Sequence, residues 1–363
     1  MIRVLQVYPQ MNNAGTERVI INLHKNIDRS SVQFDYLTEQ SGEMDDTLRL
    51  MASKIHQIKS KNRWLYFWSL VKFFKAHPEY HIVHAHTHAW MDVVLLAAKV
   101  CRIPCRIAHS HNARNDLSRL MAFIKGITSI PMELAATHFF ACSKNAAQWL
   151  FPHKKRHWNV IPNAISLKDY LYSPEKRQYI RQSLNIATDE FVMIHVGRFA
   201  KQKNHTFILS ILESLNQQMK DWKMIFVGSG PLEPEIKQQS EKTGLSKHLL
   251  FLGNRKDVCD LLSSADCFVF PSLHEGLGIV VIEAQAAALP CIVSEAVPSE
   301  ANLNLGLLHT LSLEQSPSIW ANTIKSVRAP IQRSYLNNDI LNSEYNIIKV
   351  AANIQQFYKK QAL

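Results

Sequence analysis

The sequence predicts an α/β protein of two doubly wound domains, each with a parallel sheet covered by helices on both faces. Its 363 residues exceed the size at which a single hydrophobic core remains efficient, so two domains are expected. Short apolar runs alternate with segments of helical spacing through both halves of the chain. A polar stretch with two prolines separates the halves, and we place the linker near residues 165–188.

The first domain, residues 1–165, is predicted from a strand, a loop and a helix at the start of the chain. Residues 2–8 form an apolar strand, residues 9–16 a loop, and residues 17–25 have helical spacing. Further strands are predicted at 34–37, 81–86, 106–110 and 138–141. A closing helix is predicted over residues 345–358, and we expect residues 344–363 to pack back on this domain.

The second domain, residues 166–343, repeats the same alternation. Strands are predicted at 191–196, 223–227, 249–252, 267–270 and 291–293, and helices at 204–218, 234–243, 258–264 and 279–288. Ligands of such folds bind beyond the carboxyl ends of the parallel strands. We therefore expect the two domains to face each other across a ligand-binding cleft.

Composition is that of an ordinary globular protein, with 47% hydrophobic and 20% charged residues. The sequence contains no run of eighteen apolar residues and no charged start followed by an apolar block, which argues against a membrane span and a secretory signal. The six cysteines form no CxxC pair. We expect reduced, mostly buried thiols in a cytoplasmic protein.

The net charge of +11 is concentrated in the first half. Residues 1–165 contain 21 Lys and Arg against 11 Asp and Glu, whereas residues 166–363 contain 20 against 19. The first half also carries 12 of the 17 histidines. This asymmetry indicates an anionic partner such as phospholipid, a lipid-linked phosphate or nucleic acid, or else a surface that only favours solubility.

Two glutamates, Glu275 and Glu283, flank a glycine-containing turn that leads into a predicted helix. Gly276 and Gly278 allow close approach of the backbone to a ligand, and the N–H groups at the helix start favour a phosphate. With a rise of about 1.5 Å per residue, the two carboxylates lie on the order of 10 Å apart. That separation suits the two ends of a sugar diphosphonucleoside, whereas paired acids of a glycosidase need about 5–9.5 Å.

A second segment, 195–204, follows the first strand of the same domain. Arg198 and Lys203 would lie at the carboxyl edge of the sheet, where two cations neutralise the charge that grows on a departing diphosphate. Taken alone, two loop cations are usually solvated surface groups. Next to the paired glutamates they predict a diphosphate site.

These segments resemble glycosyltransferase family 4. The resemblance is carried by PSLHEGLGIVVIEAQAAALP, by GRFAKQKN some eighty residues earlier, and by VGSGPLEPEI, FLGNRKDVCDLLSSADCFVFPS and VIPNAI at the family's spacing. It covers essentially the whole chain and is strongest to bacterial enzymes of capsule and exopolysaccharide assembly. It implies the GT-B fold of two Rossmann-like domains, retention of anomeric configuration, and no metal or other cofactor.

The resemblance also implies roles for matching residues. Glu275 would bind the donor sugar and act as a catalytic residue, Glu283 would bind the ribose, and Arg198 and Lys203 would bind the diphosphate. The backbone that lines sugar and phosphates would be that of Gly276, Leu277 and Gly278, and the base would lie near Gly228, Asn254 and Arg255.

In the first half, Gly15 matches the family's glycine-rich phosphate loop. Ala14 stands where a second glycine is usual, which puts the close approach of that loop to phosphate in doubt. Ser166, where Asp is common after PNAI, is a milder departure.

The histidines of the first half need separate treatment. His84, His86 and His88 alternate along a strand end and raise a zinc hypothesis, but three ligands on one short strand rarely converge, so we predict no metal. His86 is predicted on the acceptor side. His109, at the end of the next strand, resembles the family histidine that contacts the donor sugar, and we predict a catalytic role for it.

Residues 61–75 combine four cations with six aromatic side chains, the composition of an interfacial membrane helix. The alternative is an ordinary helix that packs Leu65, Trp68, Val71 and Phe74 inward. A second basic, apolar stretch spans residues 114–130. Both fit peripheral attachment to the anionic inner face of the cytoplasmic membrane and a polyprenyl-diphosphate-linked acceptor, whereas no motif supports nucleic-acid binding.

The sequence therefore predicts an enzyme that moves a hexose or N-acetylhexosamine from a nucleotide sugar, most simply a UDP-sugar, to a saccharide or lipid-linked saccharide. The alternative hypothesis is a catalytically inactive partner protein that only binds the sugar nucleotide. The four intact residues Arg198, Lys203, Glu275 and Glu283 argue against that alternative.

Overall fold

The computed structural model describes residues 1–12, 15–59, 62–86, 90–111, 129–153, 157–327, 333 and 337–362. The chain divides into two compact units. The N-terminal unit consists of Met1–Ile165 and Glu344–Leu363, and the C-terminal unit of Ser166–Ser343.

The N-terminal unit is built on a parallel sheet. Its described strands are β1 (Ile2–Val7), β2 (Val32–Thr38), β3 (Ile55–Gln57), β4 (Ile82–Ala85), β5 (Cys105–Ser110), β6 (His138–Ala141) and β7 (Asn159–Val160). They follow the order β3-β2-β1-β4-β5-β6-β7, with Val4 of β1 opposite both Phe34 and Ile82. The strand order reverses between β1 and β4, and such a switch point opens a crevice at the carboxyl end of the sheet.

Helices cover this sheet because each has an apolar face to bury. They are α1 (Gly15–Asn26), α2 (Asp45–Leu50), α3 (Arg63–Ala76), α4 (Met91–Val100) and α5 (Lys144–Leu150), and residues 129–135 are also helical. The C-terminal helix (Ile347–Gln361) buries Val350, Ile354 and Tyr358 and contacts α1, β1 and β2. The chain thus ends by covering the first strands of its own N-terminal unit.

The C-terminal unit has a second parallel sheet, and its strand order also reverses once. Its described strands are β8 (Phe191–Val196), β9 (Trp222–Val227), β10 (Leu249–Phe251), β11 (Cys267–Phe270), β12 (Cys291–Ser294) and β13 (Leu308–Leu311). The order is β10-β9-β8-β11-β12-β13, so the switch point lies between β8 and β11. Every residue of β11 and β12 is buried, as expected for central strands covered on both faces.

The helices of this unit are α6 (Leu167–Tyr170), α7 (Pro174–Ser183), α8 (His205–Asn216), α9 (Glu233–Lys242), α10 (Val258–Ser264), α11 (Ile279–Ala286), α12 (Pro317–Ser326) and α13 (Asn337–Asn342). Short 3-10 turns occur at Lys201–Lys203, Ser246–His248 and Ser299–Ala301.

The linker predicted at 165–188 is wrong as a linker, because most of it forms α6 and α7. Arg181 of α7 is buried and donates to the Ser264 carbonyl and to the Asp266 carboxylate. The polar composition of this segment serves an internal hydrogen-bond network rather than a solvated connection.

None of the described helices combines the length and the apolar character needed to cross a lipid bilayer.

Candidate functional site

The candidate site of the C-terminal unit lies at its switch point, where β8 and β11 end side by side. The turn after β8 carries Arg198 and Lys203, and the turn after β11 carries Glu275. Residues far apart in the sequence are therefore brought to one edge of the sheet.

Lys203 and Glu275 form an ion pair at this edge. The Lys203 Nζ donates to Glu275 Oε1 at 2.6 Å, and the two side chains are only 16% and 7% exposed. The Ser272 hydroxyl donates to the same oxygen, and the Gln202 amide lies 3.4 Å from it. The ammonium also lies 4.5 Å from the centre of the Phe270 ring. This carboxylate is therefore held in one orientation by donors of three kinds.

Arg198 is exposed, and its loop is fixed by backbone contacts that require glycine. A Cβ added at Gly228, where φ is +128°, would meet the Gly197 carbonyl oxygen at 2.2 Å. A Cβ at Gly230 would meet the Phe199 oxygen at 2.5 Å. Gly228, predicted near the base, thus has a packing role in the chain itself.

The turn before α11 differs, because there is open space beside its first glycine. A Cβ at Gly276 would have no heavy atom within 4 Å, whereas Gly278 has φ of +76° and precedes the first residue of α11. Leu277 between them is buried. Backbone strain explains the glycine at 278, while the open space at 276 leaves room for a group beside the backbone.

Glu283 lies on α11 and accepts a hydrogen bond from the Tyr170 hydroxyl of α6 at 2.8 Å. Nothing in the local sequence around Tyr170 predicts a contact 113 residues away. Of the residues predicted near the base, Asn254 is exposed, and the Arg255 guanidinium donates to both oxygens of Asp257 at 2.8 and 2.6 Å.

In the N-terminal unit four histidines, His84, His86, His109 and His111, lie on β4 and β5 or directly after them, beside the switch point. The His84 and His109 rings are stacked with centroids 5.1 Å apart, and the His109 and His111 centroids are 4.1 Å apart. His84 Nε2 lies 3.0 Å from His109 Nδ1, and His86 Nδ1 lies 2.7 Å from His111 Nε2. We refer to these four rings as the histidine cluster.

Burial keeps three of these rings, His84, His86 and His109, uncharged. It lowers the pKa of His84, His86 and His109 well below the usual value, and the neighbouring histidines lower it further. Neutral imidazoles each offer one donor and one acceptor nitrogen, so the cluster can hold or orient uncharged polar groups.

His86, predicted on the acceptor side, is buried, and both of its ring nitrogens are engaged. Its Nε2 lies 2.7 Å from Gln6 Oε1, and its Nδ1 contacts His111. His109 is also fully buried.

The three ring nitrogens that do lie close together come from two neighbouring strands, and not from one strand as the zinc hypothesis supposed. The ligand nitrogens of His84, His86 and His109 lie within 4.8 Å of one another. His88 lies outside the described residues.

Comparison with known proteins identifies the family. Residues 14–169 match the model of Glycosyltransferase Family 4, and residues 176–304 match that of Glycosyl transferases group 1. EpsF of Bacillus subtilis (strain 168), named as a glycosyltransferase, is 31% identical over 342 residues, which cover 90% of this chain and 88% of that protein. The chain belongs to the family 4 glycosyltransferases.

A second relative and a solved structure extend the comparison. The UDP-Gal:alpha-D-GlcNAc-diphosphoundecaprenol alpha-1,3-galactosyltransferase of Escherichia coli is 26% identical over 312 residues, 80% of this chain and 78% of that protein. The crystal structure of Anabaena HepE in complex with UDP and glucose superposes with a TM-score of 0.79 over 99% of this chain and 100% of that one, at 19% identity. The predicted fold class, two Rossmann-like domains of the GT-B type, is confirmed.

The loop of this glycosyltransferase that precedes α1 is only partly described. Gly15 begins α1, and a Cβ there would meet nothing within 4 Å, whereas Asn13 and Ala14 lie outside the described residues. Glu17 is buried in the first turn of α1, and burial raises its pKa, a feature that the sequence analysis did not note.

Helix α3 presents an exposed aromatic face. Trp64, Leu65 and Trp68 are 70%, 54% and 51% exposed, and the two tryptophan rings meet edge to face. Val71 and Phe74 are buried, so the inward packing considered above holds for these two residues and not for Leu65 and Trp68. Residues 112–128, most of the second basic stretch, lie outside the described part of the chain.

Proposed function

We propose that this glycosyltransferase moves a hexose or N-acetylhexosamine from a UDP-sugar to a saccharide or lipid-linked saccharide, with retention, in cell-surface polysaccharide biosynthesis. The observation that carries the proposal is the Lys203–Glu275 ion pair at the switch point between β8 and β11. A cation and a carboxylate held side by side match the two chemically different parts of a sugar diphosphate. The cation suits the phosphates and the carboxylate suits the sugar hydroxyls.

In this proposal the diphosphate binds to Arg198, to Lys203 and to the backbone N–H groups at the start of α11. Arg198 is exposed and offers a planar fork of donors, whereas Lys203 offers a point charge. The unfilled space at Gly276 lets a phosphate or sugar oxygen approach the backbone closely. Gly15 contributes in the same way from the start of α1.

The sugar hydroxyls are assigned to Glu275 and the ribose to Glu283. Ser272 and Lys203 fix one oxygen of Glu275, which leaves the other oxygen pre-oriented to accept hydrogen bonds from sugar hydroxyls. Tyr170 orients Glu283 in a comparable way. The base is assigned to the surface near Gly228, Asn254 and Arg255.

Transfer is proposed to proceed by same-face attack, in which the leaving phosphate takes the proton of the acceptor hydroxyl. Arg198 and Lys203 stabilise the charge that develops on this phosphate, so the chemistry requires no metal. His109 is assigned to the reacting sugar. It is neutral, because burial lowers its pKa, and it therefore acts through hydrogen bonds rather than charge.

Two relatives support the choice of nucleotide and acceptor. The Escherichia coli relative is named for UDP-Gal and for an acceptor linked to diphosphoundecaprenol, and the Anabaena structure contains UDP and glucose. We propose a UDP-sugar as substrate and a polyprenyl-diphosphate-linked saccharide as acceptor. The intracellular face of the cytoplasmic membrane is then the place of action.

Peripheral membrane contact is assigned to the exposed aromatic face of α3. Tryptophans prefer the interface between lipid headgroups and acyl chains, and Arg63, Lys72 and Lys75 of the same helix suit anionic headgroups. The net charge of +10 on residues 1–165 adds a long-range attraction.

Thermal-shift measurements with UDP-, GDP- and ADP-sugars test the nucleotide assignment, because a ligand stabilises the fold that binds it by mass action. We expect stabilisation by UDP-sugars and by UDP. Turnover of the stabilising nucleotide sugar, measured as UDP release with and without a lipid-linked saccharide, then tests the enzyme against the inactive binding partner. If the wild type binds the nucleotide sugar but releases no UDP, and Glu275→Gln behaves identically, the protein would be the catalytically inactive partner that only binds the sugar nucleotide.

A further inference from the structure

A continuous chain of hydrogen-bonding groups runs from the C-terminal helix to His109. The Tyr358 hydroxyl lies 2.6 Å from His84 Nδ1, and His84 Nε2 lies 3.0 Å from His109 Nδ1. His109 Nε2, at the far end, is buried and has no hydrogen-bond partner in the described part of the chain. Tyr358 is 274 residues from His84 in sequence, so the fold alone creates this chain.

The direction of the protons along the chain follows from the chemistry of its members. Burial raises the pKa of Tyr358. The phenol therefore keeps its proton and donates it to His84 Nδ1. Burial lowers the pKa of His84 and His109, so each ring carries a single proton.

A neutral imidazole that accepts at one nitrogen carries its proton on the other. His84 accepts from Tyr358 at Nδ1 and hence donates from Nε2 to His109 Nδ1. His109 then carries its own proton on Nε2. The opposite direction would leave two buried groups without a partner among the described residues, the Tyr358 O–H and the lone pair of His109 Nε2, whereas this direction leaves only the His109 N–H unpaired.

We propose that Tyr358 and His84 are positioning residues that hold His109 as its Nε2–H tautomer, which presents a fixed hydrogen-bond donor to an oxygen of the nucleotide sugar. The identity of the ligand at this N–H rests on the proposed function, whereas the tautomer of His109 does not depend on it. The C-terminal helix therefore covers the sheet and also, through Tyr358, sets the protonation of His109.

A metal ion is the competing explanation for these rings. His84, His86 and His109 each place a ring nitrogen within 4.8 Å of the others. Coordination would need lone pairs on all three ligand nitrogens, whereas the 3.0 Å contact between His84 and His109 places a shared proton between two of them. The two explanations predict different protonation states.

The decisive experiment is NMR of the full-length protein labelled with ¹⁵N-histidine, because the ring ¹⁵N shifts distinguish the two neutral tautomers, the imidazolium and a metal-bound ring. His84→Gln and His109→Gln assign the signals. Tyr358→Phe removes only the hydroxyl that starts the chain. Tyr36→Phe is the matched control, since the Tyr36 hydroxyl contacts His24 Nδ1 at 3.1 Å in the same unit and lies outside the chain.

We expect His109 as the Nε2–H tautomer in the wild type, a mixture of tautomers in Tyr358→Phe, and no change in Tyr36→Phe. A wild-type Nδ1–H tautomer, an unchanged His109 signal in Tyr358→Phe, or one equivalent of bound zinc with metal-shifted signals would each overturn the proposal. If Tyr358→Phe does not fold, the wild-type tautomer decides alone.

Activity provides a separate readout. In Tyr358→Phe we expect kcat to fall about 10-fold, the rate equivalent of one neutral hydrogen bond, with KM for the nucleotide sugar changed less than about 2-fold. Tyr36→Phe should keep the wild-type kcat. If no nucleotide sugar is turned over, the proposed function fails, but the tautomer measurement still decides the present proposal.

Discussion

Replacing Glu275 by Gln tests whether the ion pair at the switch point is shared between the two parts of a nucleotide sugar. Glu275 accepts a hydrogen bond from Lys203 Nζ at 2.6 Å, and only 7% and 16% of the two side chains are exposed. Gln keeps the size and the acceptor oxygen but removes the negative charge. Lys203 is then free to bind phosphate without competition.

The size of the effect on stability follows from the contact that is lost. A hydrogen bond between charged partners contributes about 1.5–3 kcal/mol, and the retained oxygen keeps the contacts to Ser272 and Gln202, so we expect a loss of about 2 kcal/mol. For a unit of about 180 residues this lowers the unfolding midpoint by about 4–8 °C.

Ligand binding should change in the opposite direction. UDP has no sugar, so Glu275→Gln should bind it as tightly as the wild type or up to about 10-fold more tightly, because the competing carboxylate is gone. Turnover of the UDP-sugar should fall about 100- to 1,000-fold, the usual effect of losing one pre-oriented polar group at a reacting centre. Lys203→Met is the matched comparison and should weaken UDP binding by about 10-fold or more.

Calorimetric titration of UDP, thermal unfolding and UDP release measure the three quantities on the same preparations. If Glu275→Gln weakened UDP binding as much as Lys203→Met does, the carboxylate would support the phosphate site, and the assignment of Glu275 to the sugar would be wrong. Unchanged turnover in Glu275→Gln would refute it as well.

Three further predictions test other parts of the site. Gly276→Ala should leave thermal stability unchanged, since its Cβ meets nothing within 4 Å, but it should weaken UDP-sugar binding by more than 10-fold in titrations. Gly278→Ala should instead lower thermal stability, because φ at this position is +76°. Burial lowers the pKa of His24 to about 4, so the unfolded state binds the extra proton below about pH 6.5. Denaturant unfolding should therefore show up to about 3 kcal/mol lost between pH 6.5 and 4, and a flatter slope in His24→Gln. Replacing Trp64 and Trp68 by Ala should abolish sedimentation with anionic vesicles at low salt while UDP release in solution stays normal, and equal sedimentation of both proteins would exclude α3 as the contact.

The fold was largely predictable because buried parallel strands are continuous apolar runs. The run over β11 is buried at every residue, and β8, β9 and β12 are recognisable in the same way. The strands that were missed, β3, β7 and β13, contain half-buried or exposed residues and have no such run. Their places in the sheets are set by pairing with a neighbour, which a local pattern does not contain.

The clustering of the residues assigned to the donor was predictable because they follow strand ends in short, motif-bearing turns. Arg198, Lys203 and Glu275 each come directly after β8 or β11, and adjacent strands in the middle of a sheet must place such turns together. What the sequence did not indicate is the direct bond between Lys203 and Glu275, or the hydroxyl of Tyr170 on Glu283, since these depend on side-chain orientation.

The histidine cluster shows where sequence reasoning fails in physical terms. His84 and His109 meet because β4 and β5 are paired in a register that places His84 opposite Ile107 and Ala85 opposite Ala108. A shift of one residue would turn His109 to the other face of the sheet. The partner of His84 on the C-terminal helix adds a contact across 274 residues, so no window along the chain contains the information.

The two sheets share one topology, but the side chains at the carboxyl ends of their central strands differ in charge. This difference argues that the two units have different roles. At the end of β8 and β11 the side chains are an exposed guanidinium and an ammonium–carboxylate pair, which exchange partners readily with a charged ligand. At the end of β4 and β5 they are imidazoles whose burial lowers their pKa and keeps them neutral, so they would gain little from a phosphate and can only exchange hydrogen bonds. We therefore expect a nucleotide diphosphate to bind to the C-terminal unit, and we expect the neutral histidines of the N-terminal unit to suit hydroxyl groups better than phosphate.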